Sequence, residues 1–422
     1  MQIKALFPPE QHYTLPNGLQ IHLAPRPDFH QMAANLTVDF GGRDTQFNWQ
    51  GQAYHQPTGI AHFLEHRMFG QADYDAFQRL SELGADANAF TSQSRTSYYF
   101  TSLANNLAAI TELLNFTQVS YFPETAVTRE AKIIQQEADM YQDNVDSQIY
   151  RLLMEQLYPH DGLAEELVGN ATSLAQISAK DLQIAFDAFY QPANMDLFIT
   201  GAFDEIKLKQ AIEESVAGQR IATQPAQIHQ PTLAPAKTAP KEVRLPTQQT
   251  KVALGQRFSI QQSLPTGREA LKVMLAVSLA LDLVFGELSP DYMAWYDEAL
   301  IDDDFSIDFE WERGFAFISA AGHTNEPERL IEVVSDAWQH LPELFAQLRH
   351  EFPLVKQATL GRMVNRFNFM EDLVVNFEGN LFDAATTLDE FEILAQLDAD
   401  TVADILEKMD RAPISKVIIR PM

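Results

Sequence analysis

The sequence contains no cysteine and no long hydrophobic run, and each absence removes a class of structure. Without cysteine the chain has no disulfide, no thiolate metal ligand and no cysteine nucleophile. A transmembrane helix needs about 18 or more consecutive apolar residues, and no such stretch is present. The N-terminus also lacks the basic and then apolar order of a secretory signal. We therefore predict a cytoplasmic protein without a membrane partner.

Basic residues are scarce as well. The chain has 30 lysines and arginines against 58 acidic residues, a formal net charge of −28. A strongly negative surface repels phosphate backbones and anionic lipids, which argues against nucleic acid or a membrane as partner. What the chain does have is 422 residues, 46% of them hydrophobic, enough for at least two globular domains.

The order of predicted elements is similar in the two halves of the chain. Each half begins with strands, continues with a helix, a pair of strands and further helices, and ends in a strand. Between them, residues 218–249 are rich in proline, glutamine and threonine, which favours an extended linker with little helix or sheet. We predict domains at 1–217 and 250–422, joined by this linker. No clear residue-level repeat supports a duplication, so element order alone suggests it.

The most specific pattern is His62-Phe63-Leu64-Glu65-His66. On a helix, residues four apart lie on the same face, so both imidazoles reach one metal ion. The order H-x-x-E-H is the inverzincin form of a catalytic zinc motif. Such a zinc takes three protein ligands and keeps one position open for water. Glu130 and Glu137, two turns apart on the helix predicted from Glu124, are the candidates for the third ligand.

Residues around this motif resemble the insulinase and pitrilysin family of metallopeptidases. The segment 59–69 is similar to the family's zinc-site helix, 83–92 and 96–100 to its strand pair, and 129–137 to its second metal helix. The similarity extends from residue 13 to about residue 204. It is greatest with the short bacterial members that are related to mitochondrial processing peptidase.

The resemblance implies a role for each residue of the motif. His62, His66 and Glu137 correspond to the zinc ligands, with one Zn²⁺ per chain. Glu65 corresponds to the general base, which takes a proton from zinc-bound water and passes it to the leaving amine. Glu130 corresponds to a carboxylate that holds a ligand imidazole in its tautomer.

The resemblance also implies the fold and the substrate. We expect an α+β protein with two homologous halves, each a mostly antiparallel sheet packed with helices, that hydrolyses short or unfolded peptides in a chamber. The family binds its substrate as an added strand, which makes Asn88, Ala89 and Phe90 a candidate edge for an extended peptide. Ordinary sheet residues are an equally good interpretation of these three.

The second half departs from the family pattern. Many active members carry an arginine and a tyrosine seven residues apart that stabilise the oxyanion. The best placement of that pair falls near Glu298 and Phe305, and neither residue type is present. We therefore expect a homodimer or a heterodimer with a paralogous insulinase-like chain. The alternatives are a half-site or non-catalytic subunit, and a zinc hydrolase with a substrate other than peptides.

Overall fold

The computed structural model describes residues 7–221, 223–229 and 232–422. Contacts between residues divide the chain into two compact units. The first comprises the described residues within 1–139, 165–230 and 365–379, and the second those within 140–164, 231–364 and 380–422. Each unit thus contains one segment from the other half of the sequence. The predicted domains at 1–217 and 250–422 and the linker at 218–249 are continuous ranges of the sequence. They stay a prediction.

The strands of the first unit form a large and a small sheet. They are β1 (Gln11–Thr14), β2 (Gln20–Pro25), β3 (Met32–Val38), β4 (Gln46–Trp49), β5 (Gln52–His55), β6 (Ala85–Thr91), β7 (Thr96–Ser102), β8 (Met195–Gly201) and β9 (Gln227–Ile228). The large sheet has the order β1-β2-β8-β3-β7-β6, and the small one the order β5-β4-β9. In the large sheet β2 and β8 are parallel and the other neighbours are antiparallel. β6 is therefore an edge strand.

Helices cover both faces of this large sheet. The α-helices of the first unit are α1 (Ile60–Met68), α2 (Ala76–Glu82), α3 (Asn106–Phe116), α4 (Glu124–Asp143, which ends within the second unit), α6 (Ala171–Leu174), α7 (Ala179–Phe189), α8 (Glu205–Glu214), α9 (Val216–Gln219) and α15 (Met370–Val375). Leu36 and Val38 of β3 point into the main core. Asn35, which directly precedes Leu36 on the strand, points the opposite way and donates to the Val374 carbonyl of α15 at 2.9 Å. The central strands β3 and β8 are consequently buried along their whole length.

The second unit repeats this plan. Its elements are α5 (Val145–Leu157), β10 (Lys241–Leu245), β11 (Lys251–Arg257), α10 (Gly267–Val284), α11 (Pro290–Asp297), β12 (Ser306–Glu312), β13 (Phe315–His323), α12 (Pro327–Gln339), α13 (Leu341–Leu348), α14 (Phe352–Arg366), α16 (Thr387–Gln396), α17 (Ala399–Lys408) and β14 (Ile414–Pro421). The sheet order is β10-β14-β11-β13-β12, again with a parallel first pair and antiparallel neighbours after it. Strand for strand this matches β2-β8-β3-β7-β6. The predicted α+β fold with two homologous halves is confirmed.

One prediction about local structure is wrong. Within the stretch predicted to be poor in sheet, Lys241–Leu245 forms β10 and pairs in parallel with β14. Glu242 and Arg244 are exposed and alternate with partly buried neighbours, as in an edge strand. Pro240 and Pro246 flank the strand and mark its ends.

Over the ranges that the structure describes, no helix combines the length and the apolar character that a membrane crossing requires.

Candidate metal centre

The helix α1 carries the histidines, and its start is fixed by the residue that precedes it. It begins after Gly59, whose φ of 87° lies in the left-handed region. A Cβ at Gly59 would lie 2.8 Å from the Gly169 Cα atom, so the backbone conformation and the close packing both require glycine here. Ile60, Phe63 and Leu64 are fully buried in the core of the first unit. Packing therefore fixes the helix face that carries the motif.

Three of the predicted metal ligands converge. The Nε2 atom of His62 is 3.6 Å from one carboxylate oxygen of Glu137, and the Nε2 atom of His66 is 3.7 Å from the other. Donor atoms bound to one tetrahedral zinc ion at about 2.1 Å lie about 3.4 Å apart. Two imidazoles and one carboxylate are also a ligand set of catalytic zinc sites. The three side chains fit a zinc ion in both spacing and chemistry.

Glu130 lies behind His66. Its Oε1 atom is 3.2 Å from His66 Nδ1, and its Oε2 atom is 3.5 Å from Arg67 Nη1. Burial raises the pKa of Glu130, but the hydrogen bond to His66 and the charges of His66 and Arg67 outweigh it and leave that pKa below its ordinary value. A charged Glu130 accepts the Nδ1 proton of His66, which leaves Nε2 as the free donor atom. This is the arrangement that a metal-binding imidazole needs.

The two histidines have different electrostatic surroundings. Burial, together with the charge of His66, lowers the pKa of His62 to about 3, so its ring is neutral near pH 7. Burial also opposes the charge on His66, but the bond to Glu130 and the neighbouring carboxylates of Glu65 and Glu137 raise its pKa overall. The Nδ1 atom of His62 is buried and has no hydrogen-bond partner among the described residues. Only His66 therefore has a carboxylate that sets its tautomer.

Glu65 forms a hydrogen bond with the strand hairpin of β6 and β7. Only 8% of the residue is exposed, and one of its oxygens accepts a hydrogen bond from the Thr91 hydroxyl at 2.6 Å. Burial raises the pKa of the Glu65 carboxyl, and the bond from Thr91 and the charge of His66 oppose that effect. A buried carboxylate beside two imidazoles is suited to exchange a proton with a bound substrate. Thr91 has no predicted role of its own, because its contact with Glu65 exists only in the folded chain.

Asn88, Ala89 and Phe90 lie on the edge strand β6. The backbone N–H of Ala89 donates to the side chain of Asn88 at 2.9 Å. Its N–H therefore points away from β7 and towards the open edge. An extended peptide that pairs with β6 would take over this donor.

The arginine and tyrosine pair is absent from residues 250–422. Phe305 is buried in its core, and Glu298 is exposed and forms an ion pair with Arg329. The tyrosines after residue 250 are Tyr292 and Tyr296, and no arginine lies seven residues before either one. Within residues 250–422 the family's spacing therefore does not occur.

A second cluster with metal-ligand chemistry lies in the second unit. Asp302, Asp304 and His323 bring their donor atoms within 4.8 Å of one another. The ammonium group of Lys251 is 2.9 Å from the Asp304 carboxylate, and His323 Nδ1 is 3.0 Å from it. Lysine already supplies the positive charge here, so the cluster is an ion-pair network.

Comparison with known proteins assigns the chain to a family. The insulinase domain of peptidase family M16 matches residues 30–171, and the domain described as "Peptidase M16 inactive domain" matches residues 176–347. The uncharacterized zinc protease YmfH of Bacillus subtilis (strain 168) is 32% identical over 415 residues, which is 96% of each chain. The chain belongs to the insulinase family, peptidase family M16.

Further relatives agree with this assignment. The crystal structure of an M16-like peptidase from Alicyclobacillus acidocaldarius superimposes with a TM-score of 0.90 at 26% identity, over 98% of each chain. The mitochondrial-processing peptidase subunit beta of Saccharomyces cerevisiae is 27% identical over 213 residues, covering 49% of this chain and 44% of that one. The predicted resemblance to short bacterial members of this M16 family is confirmed.

Proposed function

We propose that this M16 protein is a zinc-dependent endopeptidase. The observation that carries the proposal is the convergence of His62, His66 and Glu137 beside the buried carboxylate of Glu65. Metal-assisted peptide hydrolysis uses a Lewis acid and a proton acceptor next to each other. The homologue named a zinc protease supports the same chemistry.

The residues of the site have distinct proposed roles. His62, His66 and Glu137 hold one zinc ion, which when bound polarises a peptide carbonyl and acidifies water. Glu130 keeps the His66 proton on Nδ1. Glu65 accepts a proton from the attacking water and delivers it to the leaving amine.

We further propose that the substrate is an extended peptide on β6. The outward N–H of Ala89 and the edge position of the strand support this, because main-chain pairing binds peptides without a strict sequence rule. Short or unfolded peptides expose such a backbone, and folded proteins do not. An enclosing chamber and a cytoplasmic location stay predictions.

The same proposal includes a partner chain. Residues 250–422 lack the arginine and tyrosine spacing that many active family members use to stabilise the oxyanion. A second, paralogous insulinase-like chain that has this pair would complete the site. The alternative is that this protein is a half-site subunit, which holds zinc and has no activity alone.

The test compares the wild type with Glu65→Gln. Zinc per chain is measured by mass spectrometry, and cleavage of an unstructured fluorogenic peptide is measured with and without paralogous M16 chains from the same genome. We expect one zinc per chain in both proteins and cleavage in the wild type alone. Glu124→Gln, an exposed residue on α4, is the matched control and should cleave normally. A wild type that binds no zinc would sink the proposal, and activity of the single chain would remove the need for a partner.

A further inference from the structure

We propose that Thr91 is a positioning residue that holds the carboxylate of Glu65 in the orientation needed for proton transfer. This inference rests on the proposed function, because it assigns Thr91 a role through Glu65. Thr91 is the last residue of β6, and Glu65 lies on α1. The two residues meet only because the edge strand passes over the zinc-site helix.

The hydrogen bond between Thr91 and Glu65 is short, and Thr91 is its donor. The distance from Thr91 Oγ1 to Glu65 Oε2 is 2.6 Å, in the range of hydroxyl donors to a charged carboxylate. The Thr96 hydroxyl is 3.4 Å from Thr91 Oγ1 but is 2.8 Å from the Phe40 carbonyl, to which it gives its only hydrogen. Thr96 therefore cannot donate to Thr91. The single hydrogen of Thr91 goes to the nearer acceptor, which is Glu65.

The Glu65 side chain needs such a partner. A glutamate has several rotatable bonds, and a helix backbone alone does not select the orientation of its carboxylate. Apolar neighbours such as Phe63 and Leu64 hold the helix but offer no hydrogen bond to a carboxylate. The Thr91 hydroxyl therefore selects one orientation and compensates part of the cost of burying the charge.

The position of Thr91 is fixed from a distant part of the chain. In the turn that follows it, the Ser92 N–H donates to the Arg95 carbonyl at 2.8 Å. The Arg95 guanidinium donates to the Phe377 carbonyl and to the Glu378 carboxylate, both at 2.8 Å. Residues 365–379 thus anchor the hairpin within the first unit. A hydroxyl at the end of an unanchored edge strand would not hold its partner as firmly.

The experiment uses two substitutions of Thr91 and one control substitution elsewhere. Thr91→Val removes the hydroxyl at nearly constant shape, and Thr91→Ser keeps it. Thr101→Val makes the same change on β7 of the same hairpin, away from Glu65. Each full-length protein, with the partner chain if one is required, is assayed for zinc content, kcat and KM on the fluorogenic peptide.

We expect Thr91→Val to lower kcat by about 10- to 100-fold, the effect of losing a hydrogen bond to a charged group. KM and zinc content should stay at wild-type values, because Thr91 contacts neither peptide nor metal in this role. Thr91→Ser and Thr101→Val should retain nearly all activity. A wild-type kcat in Thr91→Val, or an equal loss in Thr91→Ser, overturns the proposal.

Crystal structures of the wild type and Thr91→Val separate this proposal from the proposed function. If the wild type cleaves no peptide under any condition, the endopeptidase proposal fails, but the orientation of Glu65 is still measurable. A Glu65 carboxylate that turns away or becomes disordered in Thr91→Val supports the positioning role. An unchanged carboxylate overturns it.

Discussion

Two substitutions on α4, Glu130→Gln and Glu137→Gln, each replace a carboxylate with an amide. Their effects on zinc binding distinguish the proposed metal ligand from the carboxylate behind His66. Glu130 and Glu137 are seven residues apart on one helix, and the sequence offers both as the third ligand. In the structure Glu137 faces the Nε2 atoms of both histidines, whereas Glu130 faces the Nδ1 atom of His66. We therefore expect both substitutions to weaken zinc binding, but Glu137→Gln to weaken it more.

The expected magnitudes follow from these positions. Loss of a carboxylate behind a ligand imidazole typically reduces metal affinity by about 10- to 100-fold, which is the expectation for Glu130→Gln. Zinc binding free energies of roughly 10–16 kcal/mol, divided over four ligands, assign each about 2.5 to 4 kcal/mol. At about 1.4 kcal/mol per factor of ten, Glu137→Gln should lower zinc affinity by about 60- to 700-fold. Loss of the negative charge adds to that cost.

The assay is a competition titration of zinc between each variant and a chromophoric chelator at neutral pH. Glu124→Gln, on the same helix, controls for the general effect of one fewer negative charge. A larger loss in Glu130→Gln than in Glu137→Gln would refute the ligand assignment. Wild-type affinity in Glu137→Gln would refute the three-ligand site itself.

Two further predictions concern stability. Burial raises the pKa of Glu310 to about 7, above the ordinary value of 4.5, so the folded state binds this proton more tightly than the unfolded state does. The stability it contributes is therefore present below about pH 4.5 and is lost as the pH rises through 7, by at most about 3 kcal/mol. Glu310→Gln should flatten that part of the urea-unfolding profile against pH, and an unchanged profile would contradict the burial effect. Gly59→Ala should lower the melting temperature and the zinc content more than Gly84→Ala does. Both glycines have positive φ, but only at Gly59 would the new Cβ lie within 3 Å of backbone atoms. Equal effects of the two substitutions would show that close packing at Gly59 is unimportant.

The sequence was sufficient where a pattern is local. The histidine spacing requires only that 60–68 be helical, and the glycine before it and the apolar residues within it make that helix predictable. The same is true of Glu130 and Glu137, because a seven-residue interval on any helix brings two side chains to nearly one face. Local geometry therefore predicted the candidate ligands.

Local patterns failed where pairing partners are distant. Residues 241–245 were predicted to belong to a linker because a proline flanks them on each side. The strand with which they pair, β14, lies more than 170 residues further along the chain and gives no local signal. The segment 365–379 has no feature that places it on the first sheet, although Asn35 and Arg95 both bind its carbonyl groups. Such contacts depend on the whole fold, which a window of residues does not contain.

The sequence by itself determined the chemistry of this M16 protein: two imidazoles and a carboxylate on one helix, and two more carboxylates on another. The tertiary structure decided which carboxylate faces the Nε2 atoms of both histidines and which one lies behind His66. It also brought Thr91 to Glu65, across 26 positions of the chain. The physical reason is that helical periodicity is fixed over a few residues, whereas the approach of helix, hairpin and distant segment is set by packing of the complete core.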